Sequence, residues 1–229
     1  MTAEQVVTGV AGRGSRVHLR PSDPDGVQAS TAIRQIAVAG ARGGQCTSTV
    51  AAAIALFAAG HRPTRLVANE PAAMAAILGM ASAAPEGETV VVTDGLELGG
   101  STDLESFTVV DAGRALHLPA MERAISLVVV RGPCYLALRH LVIAAGGLLD
   151  GIVLAKEAGR SLTAKDVADV TGVPVVAQID VTPAVARTID AGLLVARFHL
   201  LDELAPLRHW ITRHLAPRRP PEPAPPPPR

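Results

Sequence analysis

The chain has 229 residues, 48% of them from the apolar set AVILMFWYC but only 2% aromatic, which suits one domain with a sizeable core built from Ala, Val, Leu and Ile. Its 21 basic and 21 acidic residues cancel to a formal charge of +0, so no global field draws it to nucleic acid or to an acidic membrane. Two cysteines, Cys46 and Cys134, are too few for a disulfide framework or a cysteine metal site, and they suit a reducing compartment. With no run of about 18 apolar residues and no signal-peptide core, the expected location is cytoplasmic.

Residues 1–32 alternate Gly, Ser, Asp, Pro and Arg with short valine pairs. They read as a flexible lead-in, with one candidate edge strand at Arg16–Leu19. The organising unit follows at Gln35–Gly60. An apolar run, Ile36–Ala39, predicts a buried strand; Gly40–Gly44 is a glycine-rich turn; Thr47, Ser48 and Thr49 are helix-capping residue types ahead of a long Ala/Ile/Leu/Phe run. Strand, glycine turn and helix in this order aim free backbone N–H groups and a helix dipole at an anion.

Thr64–Ala68 predicts a short strand, and Pro71 opens a helix running to about Ser82. Glu88–Thr93 is a strand closing in Asp94-Gly95, Leu98–Thr102 a glycine-containing turn, and Ser106–Val110 a strand closing in Asp111-Ala112-Gly113. Ile125–Val130 is a continuous apolar strand, Tyr135–Ala145 a helix closed by Gly146-Gly147, and Gly151–Ala155 a strand. Thr163–Val170 is a helix capped by Ser161 or Thr163, Pro174–Ile179 a strand, Pro183–Ala191 a helix capped by Thr182, and Leu200–Leu215 a last helix. The tail, Pro217–Arg229, is proline-rich and extended in type.

Strands alternating with helices imply right-handed crossovers. The fold class is α/β, a mostly parallel sheet of about 7 strands with helices on both faces, spanning 33–216 between the lead-in and the tail 217–229. Ligands of such sheets bind at the carboxyl ends of the strands. That edge is expected to carry Gly40–Thr49, Asn69-Glu70, Asp94, Asp111–Gly113, Arg131 and Asp180.

A working phosphate loop needs Gly-x4-Gly-Lys-[Ser/Thr], with glycine amides on the phosphates, a lysine for the β/γ charge and a hydroxyl for Mg²⁺. The present loop resembles the deviant phosphate loop of the MinD/ParA family, Lys-Gly-Gly-x-Gly-Lys-[Ser/Thr]-Thr. Against that pattern Arg42 occupies the signature-lysine position, and Gly43 and Gly44 match. Gln45 is the free position, Cys46 replaces the third glycine and Thr47 the phosphate-binding lysine. Ser48 matches the Mg²⁺ hydroxyl and Thr49 the last position. LVANEP (66–71) resembles the family's second strand with Glu70 as its switch acid. FTVVDAG (107–113) resembles the Walker-B strand, with Asp111 near Mg²⁺ and Gly113 near the γ-phosphate. Residues 126–141 resemble the following strand and helix. Residues 172–192 resemble the stretch bordering the base, where Asp180 lies. The similarity covers roughly 35–215 and is nearest to the actinobacterial CpaE/TadZ-like relatives.

The resemblance implies ATP or ADP with Mg²⁺ held by Ser48 and Asp111, dimerisation across the carboxyl edge, and positioning or regulatory work with a protein partner, an active relative included. Three departures count against efficient hydrolysis. Both loop lysines are gone, the stretch ahead of Asp111 is short, and Ala155-Lys156 stands where many relatives place a base-reading asparagine. The expectation is therefore a degenerate ATPase, with an active dimerising switch or a ligand-free interaction module as alternatives.

Other readings stay open at this point. Asp94 ends an apolar strand as Asp111 does and is the alternative acid. Glu70 is either a switch acid or a first-turn acid favoured by the dipole. Cys46 either fills a glycine site or has a lowered thiol pKa. Arg131 reads as an exposed rim residue. The seven histidines show no metal spacing. Leu200, Leu204, Leu207, Ile211 and Leu215 form a stripe on the last helix, with Trp210 on another face. This stripe either closes the core or offers peripheral membrane contact through 200–215.

Overall fold

The structure is a computed structural model, and it describes residues 33–100, 106–114, 124–144 and 149–215. The candidate strand at 16–19, the glycine pair 146–147 and the proline tail lie outside these residues. Eight strands form one sheet: β1 Gln35–Gly40, β2 Thr64–Ala68, β3 Thr89–Thr93, β4 Leu96–Gly99, β5 Phe107–Asp111, β6 Ala124–Arg131, β7 Gly151–Lys156 and β8 Val175–Asp180. Their order is β3-β4-β2-β5-β1-β6-β7-β8. Every pairing is parallel except β3 with β4. The mostly parallel α/β sheet expected from the sequence is present, with one strand more.

The extra strand is β4. The second half of its Leu-Glu-Leu-Gly run falls in 98–102, read as a turn, yet Leu96 and Leu98 are fully buried against the core. Asp94-Gly95 is the two-residue loop of a hairpin, with Thr93 paired to Leu96 and Gly95 at φ 87°. Glycine supplies that positive φ without steric cost.

Strand alternation sorts the core into two layers. On one face Ile36, Val38, Leu66, Val109, Leu127 and Val129 meet α1 (Thr47–Ala59), α2 (Pro71–Leu78) and α7 (Ala205–Leu215). On the other, Ala37, Ala39, Val128, Val130, Ile152 and Leu154 meet α3 (Tyr135–Ala144) and α4 (Ala164–Thr171). Helix α1 is buried on all sides from Val50 to Ala58, because it lies between the sheet and α7. Its alanines let both neighbours approach closely, and a helix apolar all round is a buried one.

Helix α2 stops at Leu78, short of Ser82, because Gly79 at φ 78° closes it with its N–H shared by the Ala75 and Ala76 carbonyls. After β8 come α5 (Pro183–Asp190), the single turn α6 (Leu194–Arg197), two 3-10 turns and α7. The last helix thus begins at Ala205, not at Leu200, and Leu200 is exposed. Leu204, Leu207, Ile211 and Leu215 are buried, and so is Trp210. The stripe closes the core, and its wide apolar arc includes the tryptophan that the sequence placed on another face. Among the described residues no helix is long and apolar enough to cross a membrane.

Candidate functional site

The loop after β1 is stitched to both neighbouring strands. Gly40 N–H donates to the Gly113 carbonyl at 2.7 Å, and Ala41 N–H to the Val129 carbonyl at 3.0 Å. A Cβ on Gly40 would collide with Thr47 Oγ1 and approach the Arg42 carbonyl oxygen to 2.9 Å, so this position has room only for glycine. The chain then turns through left-handed conformations at Gly44 (φ 71°) and Cys46 (φ 65°). Cys46 is the one non-glycine residue with positive φ among those described. Such a conformation costs an L-residue about 1–2 kcal/mol.

Cys46 is also the N-cap of α1. Its carbonyl accepts Val50 N–H at 3.0 Å, and its side chain makes no capping bond. Thr47, Ser48 and Thr49 are therefore first-turn residues, not the cap. The first turn holds no acidic side chain, so the positive end of the helix dipole faces the loop uncompensated by its own sequence.

Thr47 stands at the lysine position of the resembled pattern. It is 8% exposed, with its hydroxyl turned down over Gly40. Ser48 and Thr49 are half-buried, while Arg42, Gly43 and Gly44 are exposed. A Cβ on Gly44 would meet no atom within 4 Å, and one on Gly43 would lie 3.6 Å from Arg114 Cδ. Ala41, Arg42, Gly43, Arg114, Leu136 and His140 line an open cavity of about 820 Å³ beside the loop.

Asp111 is 4% exposed at the end of β5, paired with Val38 on one side and Ala68 on the other. Its Oδ1 accepts Gly113 N–H at 3.0 Å. Gly113 turns at φ 58°, where a Cβ would press on Asn69 Nδ2 at 3.2 Å. Through the Gly40–Gly113 bond, Asp111 and Gly113 thus adjoin the loop, as the sequence suggested.

Arg131, expected on the rim, is half-buried and reaches across the loop. Its N–H donates to Gln45 Oε1 at 2.8 Å, its Nη1 lies 3.7 Å from Cys46 Sγ, and its Nε donates to Glu157 Oε1 at 2.9 Å. Glu157 Oε2 takes two further N–H bonds from Arg160, at 3.1 and 3.3 Å. The two guanidiniums hold the Glu157 carboxyl below the usual carboxylate range, Arg160 contributing most. Burial pushes the Cys46 thiol up, against the lowering pull of Arg131. Cys134 caps α3, its carbonyl taking Leu138 N–H at 3.1 Å. The Ala137 and Leu136 amides, Ala137 first, hold its thiol down, helped by Arg42 and Arg160.

Other expected residues stand apart. Glu70 is exposed at the N-cap of α2 and makes no capping bond; its link to the loop is indirect, through Asn69 N–H on the Asp111 carbonyl at 3.0 Å. Asp180 is exposed at the end of β8, three strands from β1. Asp94 lies at the opposite edge of the sheet, because β3 runs antiparallel. There Gly95 O accepts Thr64 N–H at the start of β2, and Asp94 lines a separate cavity of about 500 Å³. Asp94 is no alternative to Asp111. Arg114, Glu157 and Arg160 were missed; only their position just after β5 and β7 marked them, since residues following parallel strands reach the carboxyl edge.

No family model matches the chain, and no curated protein matches it. Solved structures do. MinD in the MinC:MinD complex of Aquifex aeolicus is 15% identical, with a TM-score of 0.64, covering 82% of this chain and 97% of that one. MinD of Pyrococcus horikoshii with Mg-ADP is 18% identical, with a TM-score of 0.62, covering 80% and 96%. A ParA family ATPase of Chlorobium tepidum is 14% identical, also at 0.62, covering 80% and 98%. The fold is that of the MinD and ParA ATPases.

The glycine turn, the α1 amides and the surrounding arginines fit phosphate oxygens. Ser48 Oγ and the Asp111 carboxylate are oxygens of the kind that suit Mg²⁺, which takes one or two protein oxygens and completes its shell with phosphate and water. Gly40–Thr49 contains no lysine. Among the described residues no group of three or more His, Cys, Asp or Glu gathers as a metal cluster.

Proposed function

We propose that this chain is a degenerate relative of the MinD/ParA ATPases: a cytoplasmic positioning, scaffolding or regulatory protein that takes nucleotide weakly or not at all and hydrolyses it poorly. The observation that carries this is Thr47. A short hydroxyl folded over Gly40 occupies the place of the lysine that would neutralise developing charge on the γ-phosphate. Losing a preorganised charge of that kind costs about 10²–10³ in rate. Arg42, at the signature-lysine position, is exposed, and its fork is larger and differently aimed than an ammonium.

The roles follow the same frame. Gly43–Thr49 and Gly113 would face phosphates, with Gln45 held against Arg131; Ser48 and Asp111 would hold any Mg²⁺. Glu70 would act as switch acid and Asp180 would border the base. A protein partner fits the exposed apolar side chains on α3, since Tyr135, Leu136 and Ile143 are each more than 60% exposed, and Leu136 lines the cavity beside the loop. The Aquifex MinD is solved with a protein partner, MinC. A second copy meeting across this edge, or an active relative, is the partner we favour.

Calorimetric titration with ATP and ADP, with and without Mg²⁺, tests the reading alongside phosphate-release assays. The expected result is binding no tighter than about 100 μM and no turnover above background. Micromolar Mg-ATP binding that Ser48→Ala abolishes, accompanied by turnover, would establish the active switch instead.

A further inference from the structure

The most constructed feature of the mouth is the Arg131–Glu157–Arg160 group, and the site described above does not require it. One carboxylate receives three N–H bonds from two guanidinium forks. The loop following β7 lays that carboxylate on the backbone of Gly132: a Cβ there would strike Glu157 Oε2 and come within 3.1 Å of Arg160 Nε. Gly132 itself is fixed, with φ 49° and its N–H on the Ala155 carbonyl at 2.9 Å. At the same time Arg131 is tied by its own N–H to Gln45 and by its Nη1 to Cys46, two residues of the phosphate-facing turn. A planar anion is thus held by two arginine side chains, one of which is itself bonded to the glycine turn. Two guanidiniums on one oxyanion is the geometry with which proteins grip phosphate.

The local charge is unbalanced. Arg42 and Arg114 flank the same turn, so with Arg131 and Arg160 the mouth carries four guanidiniums. Among the described residues, Glu157 and the buried Asp111 are the acids placed among them. The Glu157 side chain is 29% exposed and lies in the loop after β7, so its carboxylate is open to an approaching anion.

We propose that Glu157 is a built-in stand-in for a phosphate group, and that Arg131 and Arg160 form a polyphosphate subsite from which pyrophosphate, or the terminal phosphates of a nucleoside triphosphate, displace it. Arg131 then supplies from β6 a cation that the loop lacks at Thr47. The idea rests on reading the turn as phosphate-facing, but not on whether the protein hydrolyses anything. Ligand affinity is set by competition: a phosphate oxygen reaches the Arg131 fork only by displacing the Glu157 carboxylate from it.

The test is calorimetric titration of the full chain with sodium pyrophosphate, then with ATP, at low salt without Mg²⁺. It uses the wild type, Glu157→Gln, Arg131→Gln and the Arg131→Gln/Glu157→Gln double variant, with thermal melts confirming that each is folded. Removing the internal competitor should tighten pyrophosphate binding about tenfold, the scale of one charge-assisted pair. Arg131→Gln should weaken binding by about the same factor, and the double variant, with Arg160 freed of the carboxylate, should bind between Arg131→Gln and Glu157→Gln. Equal gains for pyrophosphate and ATP point to a subsite for the phosphates themselves; a gain for ATP alone would overturn that assignment. Should Arg131→Gln fail to fold, Arg160→Gln in the exposed loop after β7 removes the other fork of the subsite and should weaken pyrophosphate binding in the same way. Identical affinities for the wild type and Glu157→Gln, or no heat from either at millimolar ligand, overturn the proposal. ATP turnover on the same samples separates the two ideas: turnover refutes the degenerate-ATPase reading and leaves the subsite intact, whereas unchanged affinity in Glu157→Gln does the reverse.

Discussion

Helices α1 and α4 both begin at the carboxyl edge of the sheet, and they begin in opposite ways. Helix α4 closes its own N-terminus. Thr163 Oγ1 accepts Asp166 N–H at 3.2 Å while Asp166 Oδ2 accepts Thr163 N–H at 2.8 Å, a full capping box. Helix α5 does half as much, with Thr182 Oγ1 taking Val185 N–H at 3.3 Å. Helix α1 does neither: its cap is Cys46 in a left-handed conformation, with no side-chain acceptor and no acid in its first turn. Helices α4 and α5 satisfy their first amides with their own side chains. The chain leaves the amides of the central helix to whatever approaches the loop.

Substitutions break or sharpen this contrast. The largest effect is expected at Gly40→Ala, where the new methyl meets Thr47 Oγ1 and the Arg42 carbonyl. Overpacking of this kind costs about 1–3 kcal/mol, and urea unfolding should place it near the top of that range because backbone cannot yield. Next comes Thr163→Ala, which should cost about 1 kcal/mol by the same measurement, the usual worth of a capping side chain. Ser48→Ala in the first turn of α1 should stay within about 0.5 kcal/mol. If Ser48→Ala costs as much as Thr163→Ala, the contrast between the two helix starts fails.

The capping box carries a pH signature. The Thr163 amide holds the Asp166 carboxyl below its ordinary value. A lowered folded-state pKa means stability that is present above the unfolded pKa of about 3.9 and lost as pH falls through the folded one. The stability difference between wild type and Asp166→Asn should therefore be constant from pH 7 to about pH 5 and shrink at more acidic pH in denaturant titrations.

The smallest effect is kinetic and compares the two thiols. Cys134, capping α3 with the Ala137 amide on its sulfur, should reach its alkylation plateau at lower pH than an ordinary cysteine, and Cys46, raised by burial, at higher pH. A pH series of iodoacetamide labelling read by peptide mass spectrometry checks the order. Coincident profiles would contradict it.

Much of this architecture was legible in the sequence. Apolar runs such as IAVA and SLVVV announce central parallel strands because both their faces are covered. Asp111 and the glycine turn come together because adjacent parallel strands end at one edge. The Asp-Gly pair at 94–95 carried a hairpin signal that the surrounding βα rhythm masked, and missing it put Asp94 at the wrong edge. Arg131 and Glu157 are 26 residues apart, one closing β6 and the other just past the end of β7, the strand paired with it. No periodicity links them, and their meeting depends on how two loops fold over one glycine. Trp210 was misplaced for a different reason: α7 is covered by both α1 and β8, so its buried arc is wider than a single stripe.

That burial has a practical consequence for optical work. Trp210 is the single tryptophan of the chain, and its ring lies 4.3 Å from the His214 ring on the same helix. Intrinsic emission therefore comes from the seam where the last helix docks. It is well placed to time the arrival of that helix during refolding. A spectrum that does not change as nucleotide is added carries little information about the glycine turn, so occupancy there has to be read by heat or by a labelled ligand.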